Sequence, residues 1–180
     1  MYKIIAQILG LPIVVVLTLL KPKDKIRHQY TVYGTFFGLM YGYNFNAINF
    51  ILNQVNLESN YGTSNLSKTI NNVIGMRCVV KRTTTQSGCF TTTNNGSFGM
   101  YTSIIDCIQD RYLWGKAFRE DGKNQYQIEQ LARQYYCAND PNYVSKINSL
   151  PNIKWCIWLI LLAVPVTIIT PLLIFKKIKL

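Results

Sequence analysis

The two ends of the chain are apolar runs without a single charge, and they constrain its fold more than anything between them. Ile4–Leu20 is 17 residues long and Trp155–Phe175 is 21. As helices they measure about 26 Å and about 32 Å at ~1.5 Å per residue, against a bilayer core of about 30 Å. A signal peptide is the rival reading of the first run, with Lys3 as its basic start. Lys-Pro-Lys-Asp-Lys follows Leu20 in place of a small-x-small cleavage site, which points to a retained anchor over residues 1–20. The second run opens with Trp155 and Trp158 and is followed by Lys176, Lys177 and Lys179, the interfacial pattern of a transmembrane helix over residues 151–180. Pro165 and Pro171 are tolerated there, because membrane helices re-satisfy freed backbone groups better than soluble ones.

Charge placement agrees with that reading. Of 180 residues, 49% are hydrophobic and 15% charged, with a net charge of +11. Residues 1–43 and 151–180 hold nine basic side chains and one acid, leaving ten basic and seven acidic ones for residues 44–150. A nucleic-acid binder concentrates its excess on the folded domain; here it borders the apolar runs. The expected partners therefore include a lipid bilayer and not nucleic acid. The terminal lysines put both ends on the inner side, while Lys21, Lys23, Lys25 and Arg27 argue the reverse, so orientation stays open. Residues 29–45 are rich in Tyr and Phe, with Gly34, Gly38 and Gly42 spaced four apart. Small-xxx-small spacing permits close helix approach, so residues 21–43 read as a basic then aromatic linker or a third membrane-associated helix.

From Asn44 the pattern is helical, with Ile48, Ile51, Leu52 and Val55 on one face, ending at Leu57-Glu58-Ser59-Asn60-Tyr61-Gly62. A glutamate at the end of an apolar helix, opening on a loop, sits where partial desolvation raises a carboxyl pKa towards general-acid use. Cys78–Ser97 is rich in Thr, Gly and Asn and reads as a hairpin lobe. A helix from Ser103 buries Ile104, Ile105, Ile108 and Tyr112; another, Gln125–Tyr136, buries Ile128, Leu131, Ala132 and Tyr135.

Four ordered motifs lie on this frame: Gln54, Leu57, Glu58, Ser59, Tyr61, Gly62 and Ser64; then Asn71, Asn72, Gly75 and Arg77; then Phe98, Tyr101 and Ser103; and finally Asp140, Pro141, Tyr143 and Lys146. In that order they resemble glycoside hydrolase family 73, the flagellar-muramidase and autolysin glucosaminidases of the lysozyme superfamily. Tyr135-Tyr136-Cys137-Ala138 departs from the family's usual Gly-Tyr-small before Asp140. The resemblance implies an α+β, mostly helical, lysozyme-like domain over residues 44–150 with a small β lobe, cutting β-1,4 bonds of peptidoglycan. It assigns Glu58 as general acid and places Tyr101 in the cleft near the reacting sugar. Ser59, Tyr61, Asn71, Asn72 and Tyr143 fall to substrate binding or cleft support, with Asn71 and Asn72 bracing the loop behind Glu58 and Tyr143 packing. Asp140 caps the helix that follows Pro141.

A second carboxylate is missing where two-carboxylate chemistry needs one: no Asp or Glu lies between Ser59 and Ile105. Asp106 and Asp110 are the nearest candidates, both on a helix where a structural acid is the simpler reading. A single acid points to the substrate's 2-acetamido oxygen as nucleophile, or to ring closure by a 6-hydroxyl as in lytic transglycosylases. The lone His28 suits no metal site, Ser59 and Ser64 lack a neighbouring His, and no cofactor motif is present. Of five cysteines, Cys78 with Cys89 and Cys107 with Cys137 are the candidate disulfides, with free buried thiols as the alternative. The function expected is a membrane-bound peptidoglycan hydrolase of an envelope or of a membrane-containing phage virion, associating with other membrane or virion proteins through its spans. The alternatives are a non-catalytic structural protein with a glycan-binding lysozyme-like domain and, more remotely, a pore former.

Overall fold

The computed structural model describes residues 2–79, 81–92, 96–118, 124–136 and 139–151. Seven α-helices and one hairpin are found among them: α1 (Tyr2–Leu20), α2 (Lys25–Met40), α3 (Phe45–Ser59), α4 (Asn65–Thr69), β1 (Gly88–Thr92), β2 (Gly96–Met100), α5 (Ile104–Ala117), α6 (Gln125–Leu131) and α7 (Tyr143–Asn148). The mostly helical α+β class is as the sequence led us to expect.

The helix starts follow local chemistry. Asn44, Ser64, Ser103 and Asn124 each accept a hydrogen bond from the backbone N–H three residues on, capping α3, α4, α5 and α6. Asn60 ends α3 in the left-handed conformation. Ile48, Ile51, Leu52 and Val55 are fully buried, the face that the periodicity marks.

Residues 29–43, expected to form a linker or a membrane-associated segment, supply most of α2, which runs through the middle of the core. Tyr30 to Gly38 are all buried, so this helix is covered on every side. The glycine spacing serves that packing. A Cβ on Gly34 would lie 2.6 Å from Leu52 Cδ2, and one on Gly38 would lie 2.5 Å from Ile48 Cγ1, so α2 and α3 approach as closely as they do only because both are glycine. The aromatic residues close the same end: Tyr41 stacks on Tyr112 at 5.9 Å, Tyr43 meets it edge-on at 5.1 Å, and the Tyr112 hydroxyl donates to the Gly34 carbonyl at 2.7 Å.

The first apolar run is likewise part of the domain. Ile13 and Val14 of α1 enter the core, Gly10 lies against Tyr33, and Lys3 is paired with Asp106 of α5 at 2.5 Å. Ile4, Leu11, Val15 and Leu19 face outward. A helix with one side fixed to a protein core cannot also be surrounded by lipid, and no helix among the described residues is long and apolar enough to cross a membrane. The expected N-terminal span is corrected accordingly. The C-terminal run, Trp155–Phe175, lies outside the described residues.

The hairpin lobe is smaller than the Thr-rich stretch suggested. β1 and β2 pair antiparallel, with Phe90 opposite Phe98, and Arg77 adds a single antiparallel bridge to Phe98 on the other edge of β2. Residues 81–87 run as a loop across α5. Asp110, fully buried, holds that loop: its carboxylate accepts both Nη atoms of Arg82 at 2.7 and 2.9 Å, the Thr84 hydroxyl at 2.7 Å and the Tyr101 hydroxyl at 2.7 Å. Burial opposes ionisation of Asp110, but these donors outweigh it and hold the carboxyl below the usual range. A disulfide between Cys78 and Cys89, with Cα atoms 5.5 Å apart, closes the lobe, and Cys107 is a free, buried thiol.

Candidate active site

Glu58 occupies the last turn of α3 and lines a cavity of ≈ 400 Å³ between the helical core and the hairpin lobe. Leu66, Gly75, Met76, Arg77, Val79, Arg82, Phe98, Trp114 and Tyr135 complete its lining. Burial raises the Glu58 pKa, and the hydrogen bond from Tyr143 partly opposes the rise.

That hydrogen bond ends a chain of four side chains. Arg111, fully buried, donates its Nε–H to Gln54 Oε1 at 3.2 Å. This fixes the Gln54 amide so that its Nε2 donates to the Tyr143 hydroxyl at 3.1 Å. The hydroxyl, already accepting, gives its own proton to Glu58 Oε1 at 2.6 Å. Each donor direction sets the next, so the buried guanidinium orients the Tyr143 proton at Glu58. With Oε1 occupied, Oε2 is the oxygen left to carry a transferable proton. It faces Gly75, where a Cβ would lie 3.5 Å away, and Gly75 has a φ of 65°, which favours glycine.

The loop after Glu58 is held in an unusual shape. Asn60, Tyr61 and Gly62 are all left-handed, with φ of 47°, 55° and 82°. The Ser59 hydroxyl, donating to Val55 O at 2.7 Å and accepting from Gly62 N at 2.8 Å, ties the turn down. Arg27 lies over the Tyr61 ring at 5.1 Å. Ser59 and Tyr61 thus shape the turn and do not line the cavity. Asn72 clamps the facing loop: its amide donates to the carbonyls of Met76 and Gly99, both at 2.9 Å, and its oxygen accepts from Met76 N at 3.0 Å. Asn71, left-handed at φ 55°, donates to Tyr101 O at 3.0 Å.

Three sequence expectations are redistributed. Tyr101 is buried, with its hydroxyl on Asp110, because the loop over α5 needs that donor; Tyr143 is the tyrosine that touches Glu58. Asp106, the candidate second carboxylate, is buried in the first turn of α5. It accepts from Thr102 at 2.5 Å and from Ser103 at 2.7 Å and pairs with Lys3, and these donors outweigh burial to keep its pKa low. It lines no cavity with Glu58. Asp140, three residues ahead of the start of α7, accepts from Asn142 N at 3.0 Å and pairs with Lys146 at 2.7 Å, while the N-cap position expected of it is occupied by Asn142.

Tyr135 and Trp114 are cavity residues that the sequence reading missed. Helical periodicity puts Tyr135 on the buried face with Ile128 and Ala132. From Ala132 to Tyr136, however, the chain winds as a π-helix, and the wider turn brings Tyr135 out to the cavity, half exposed. The departure from the family pattern at Tyr135-Tyr136 was the available signal. Among the described residues no three His, Cys, Asp or Glu side chains group to hold a metal ion.

Residues 35–152, more than half of the chain, match the glucosaminidase family, described as mannosyl-glycoprotein endo-beta-N-acetylglucosaminidase, and the chain belongs to that family. It is a glycosidase of the endo-β-N-acetylglucosaminidase type. A solved chain of a type VI secretion system effector–immunity complex from Pseudomonas protegens shares the fold at 16% identity and a TM-score of 0.50, over 80% of this chain and 92% of that one. The catalytic domain of the autolysin Auto from Listeria monocytogenes aligns at 19% identity and a TM-score of 0.47, over 69% and 79%. Comparison with curated proteins gives no match.

Proposed function

We propose that the protein cleaves the β-1,4-linked glycan of peptidoglycan, with Glu58 as its general acid and later its base. The observation that carries this is the partly buried Glu58 carboxyl, raised in pKa, on a cavity wall with the Tyr143 hydroxyl fixed on its Oε1. Glu58 Oε2 protonates the glycosidic oxygen as the bond to C1 breaks. Among the described residues no other carboxylate lines the cavity, so the bond to C1 is made by the carbonyl oxygen of the substrate's own 2-acetamido group. Water, deprotonated by the Glu58 carboxylate, then opens that ring. Ring closure by a 6-hydroxyl in place of water would give a 1,6-anhydro end.

Mass spectrometry of sacculi digested by the detergent-solubilised protein separates these outcomes. Reducing N-acetylglucosamine ends are expected. Anhydro ends would make the enzyme a transglycosylase, and no release at any pH would leave the non-catalytic, glycan-binding alternative.

Tyr143→Phe tests the hydrogen-bond chain. Losing the donor removes the one influence that lowers the Glu58 pKa, so the descending alkaline limb of kcat/KM moves to higher pH, with a loss of roughly tenfold from poorer positioning. An unmoved limb would detach Tyr143 from the acid.

Bilayer attachment, with its envelope or virion setting, rests in this proposal on Trp155–Phe175 and the lysines beyond it. The full chain is expected to stay with the membrane pellet through alkaline carbonate extraction; complete release would remove the anchor.

A further inference from the structure

Arg82 and Trp114, which line the cavity at Glu58, also line a neighbouring one. This second, more open cavity of ≈ 450 Å³ is lined by Cys78, Val79, Lys81, Arg82, Trp114 and Phe118. Val79, Arg82 and Trp114 line both, so the two cavities adjoin across these three residues. The second cavity has a distinct chemistry. Trp114 and Phe118, with ring centres 4.6 Å apart, provide an aromatic floor, and Arg111 backs Trp114 at 4.9 Å. The charged side chains lining it, among the described residues, are Lys81 and Arg82. Arg82 is neutralised by Asp110 and held rigidly by it, so the charge offered to a ligand is that of the exposed Lys81. The Cys78–Cys89 disulfide fixes the chain just before this pair.

An aromatic floor takes the apolar face of a sugar ring, and an ammonium at its edge takes an anion. We propose that this cavity is a subsite for the acid-bearing sugar of the strand, with Lys81 meeting a carboxylate carried on the sugar's lactyl ether. That carboxylate is either the free lactyl acid or an acid of the attached stem peptide. The inference rests on the peptidoglycan reading above and adds the element of the substrate that the adjoining cavity recognises next to the scissile bond.

The test measures Kd on a Glu58→Gln background, with and without Lys81→Gln, for four strands: stem-bearing, stripped to the free lactyl acid, and each of these with every carboxylate converted to an amide. Lys81→Gln is expected to weaken binding of carboxylated strands about fivefold, the size of a partly exposed ion pair. Amidation should weaken binding to the Lys81 protein by the same factor, and the two changes together should cost no more than either alone. Loss on stripped strands assigns the lactyl acid; loss on stem-bearing strands only assigns the peptide. A Kd indifferent to amidation, or an equal effect of Lys81→Gln on amidated strands, overturns the subsite. Failure of the native protein to cut any of the four strands would sink the hydrolase reading separately, since the Kd comparison needs no turnover.

Discussion

Glu58→Gln lowers kcat/KM on glycan strands by about 10²- to 10⁴-fold, the usual contribution of a positioned general acid. The glutamine keeps an oxygen for the Tyr143 hydroxyl, so the cavity and the hydrogen-bond chain survive while the transferable proton is lost. The same substitution is expected to raise thermal stability at neutral pH. Burial raises the folded-state pKa of Glu58, so the stability its protonated form contributes is complete below the unfolded pKa and is lost as pH rises through the folded one. Gln has no charge to bury, so the variant's advantage vanishes in acid. Kinetics beside melting curves at pH 4 and pH 7 check both halves. A variant that keeps its activity would remove Glu58 from the chemistry.

Asp110→Ala carries the largest expected loss of stability. Asp110 is fully buried, and its removal leaves the Arg82 guanidinium, itself only 12% exposed, without its partner and strips the Thr84 and Tyr101 hydroxyls of their acceptor. Breaking one side of a buried pair costs about 3–5 kcal/mol. For a domain of this size that is a fall in melting temperature of roughly 10 °C or more. The loop of residues 81–87 should loosen first, read as faster amide exchange there than in α3. The folded-state pKa of Asp110 is depressed, so its contribution is present above the unfolded pKa and is lost as pH falls through the folded one. The native protein is therefore expected to lose this anchor in acid, and a melting temperature unchanged by the substitution would contradict the role given to Asp110.

The parts of the fold that were legible in the sequence are those with a local cause. The Ile48-Ile51-Leu52-Val55 face, the Ser103 cap and the stop after Glu58 each depend on residues within a turn or two. Gly34 and Gly38 were legible as a close-approach surface, but what they approach is α3 of the same domain, which spacing does not reveal. The first apolar run was misread because its length and hydropathy report only that it avoids water. Whether lipid or a protein core covers it is decided by α2 and α5, and by the Lys3–Asp106 pair. The site shows the same division. Glu58 could be found from the chain around it, whereas Tyr143, 85 residues away, reaches it only through the fold. Tyr135 was hidden by a change of helical winding that a period of 3.6 cannot register.

The central claim is that one carboxylate runs the reaction, and the pH dependence of kcat/KM tests it most directly. A protonated Glu58 acting with the substrate's own acetamido group gives a single limb, level in acid and falling as pH rises through the raised pKa of Glu58. A bell with a second, acidic limb, measured where the protein remains folded, would reveal another ionised carboxylate at work and contradict it.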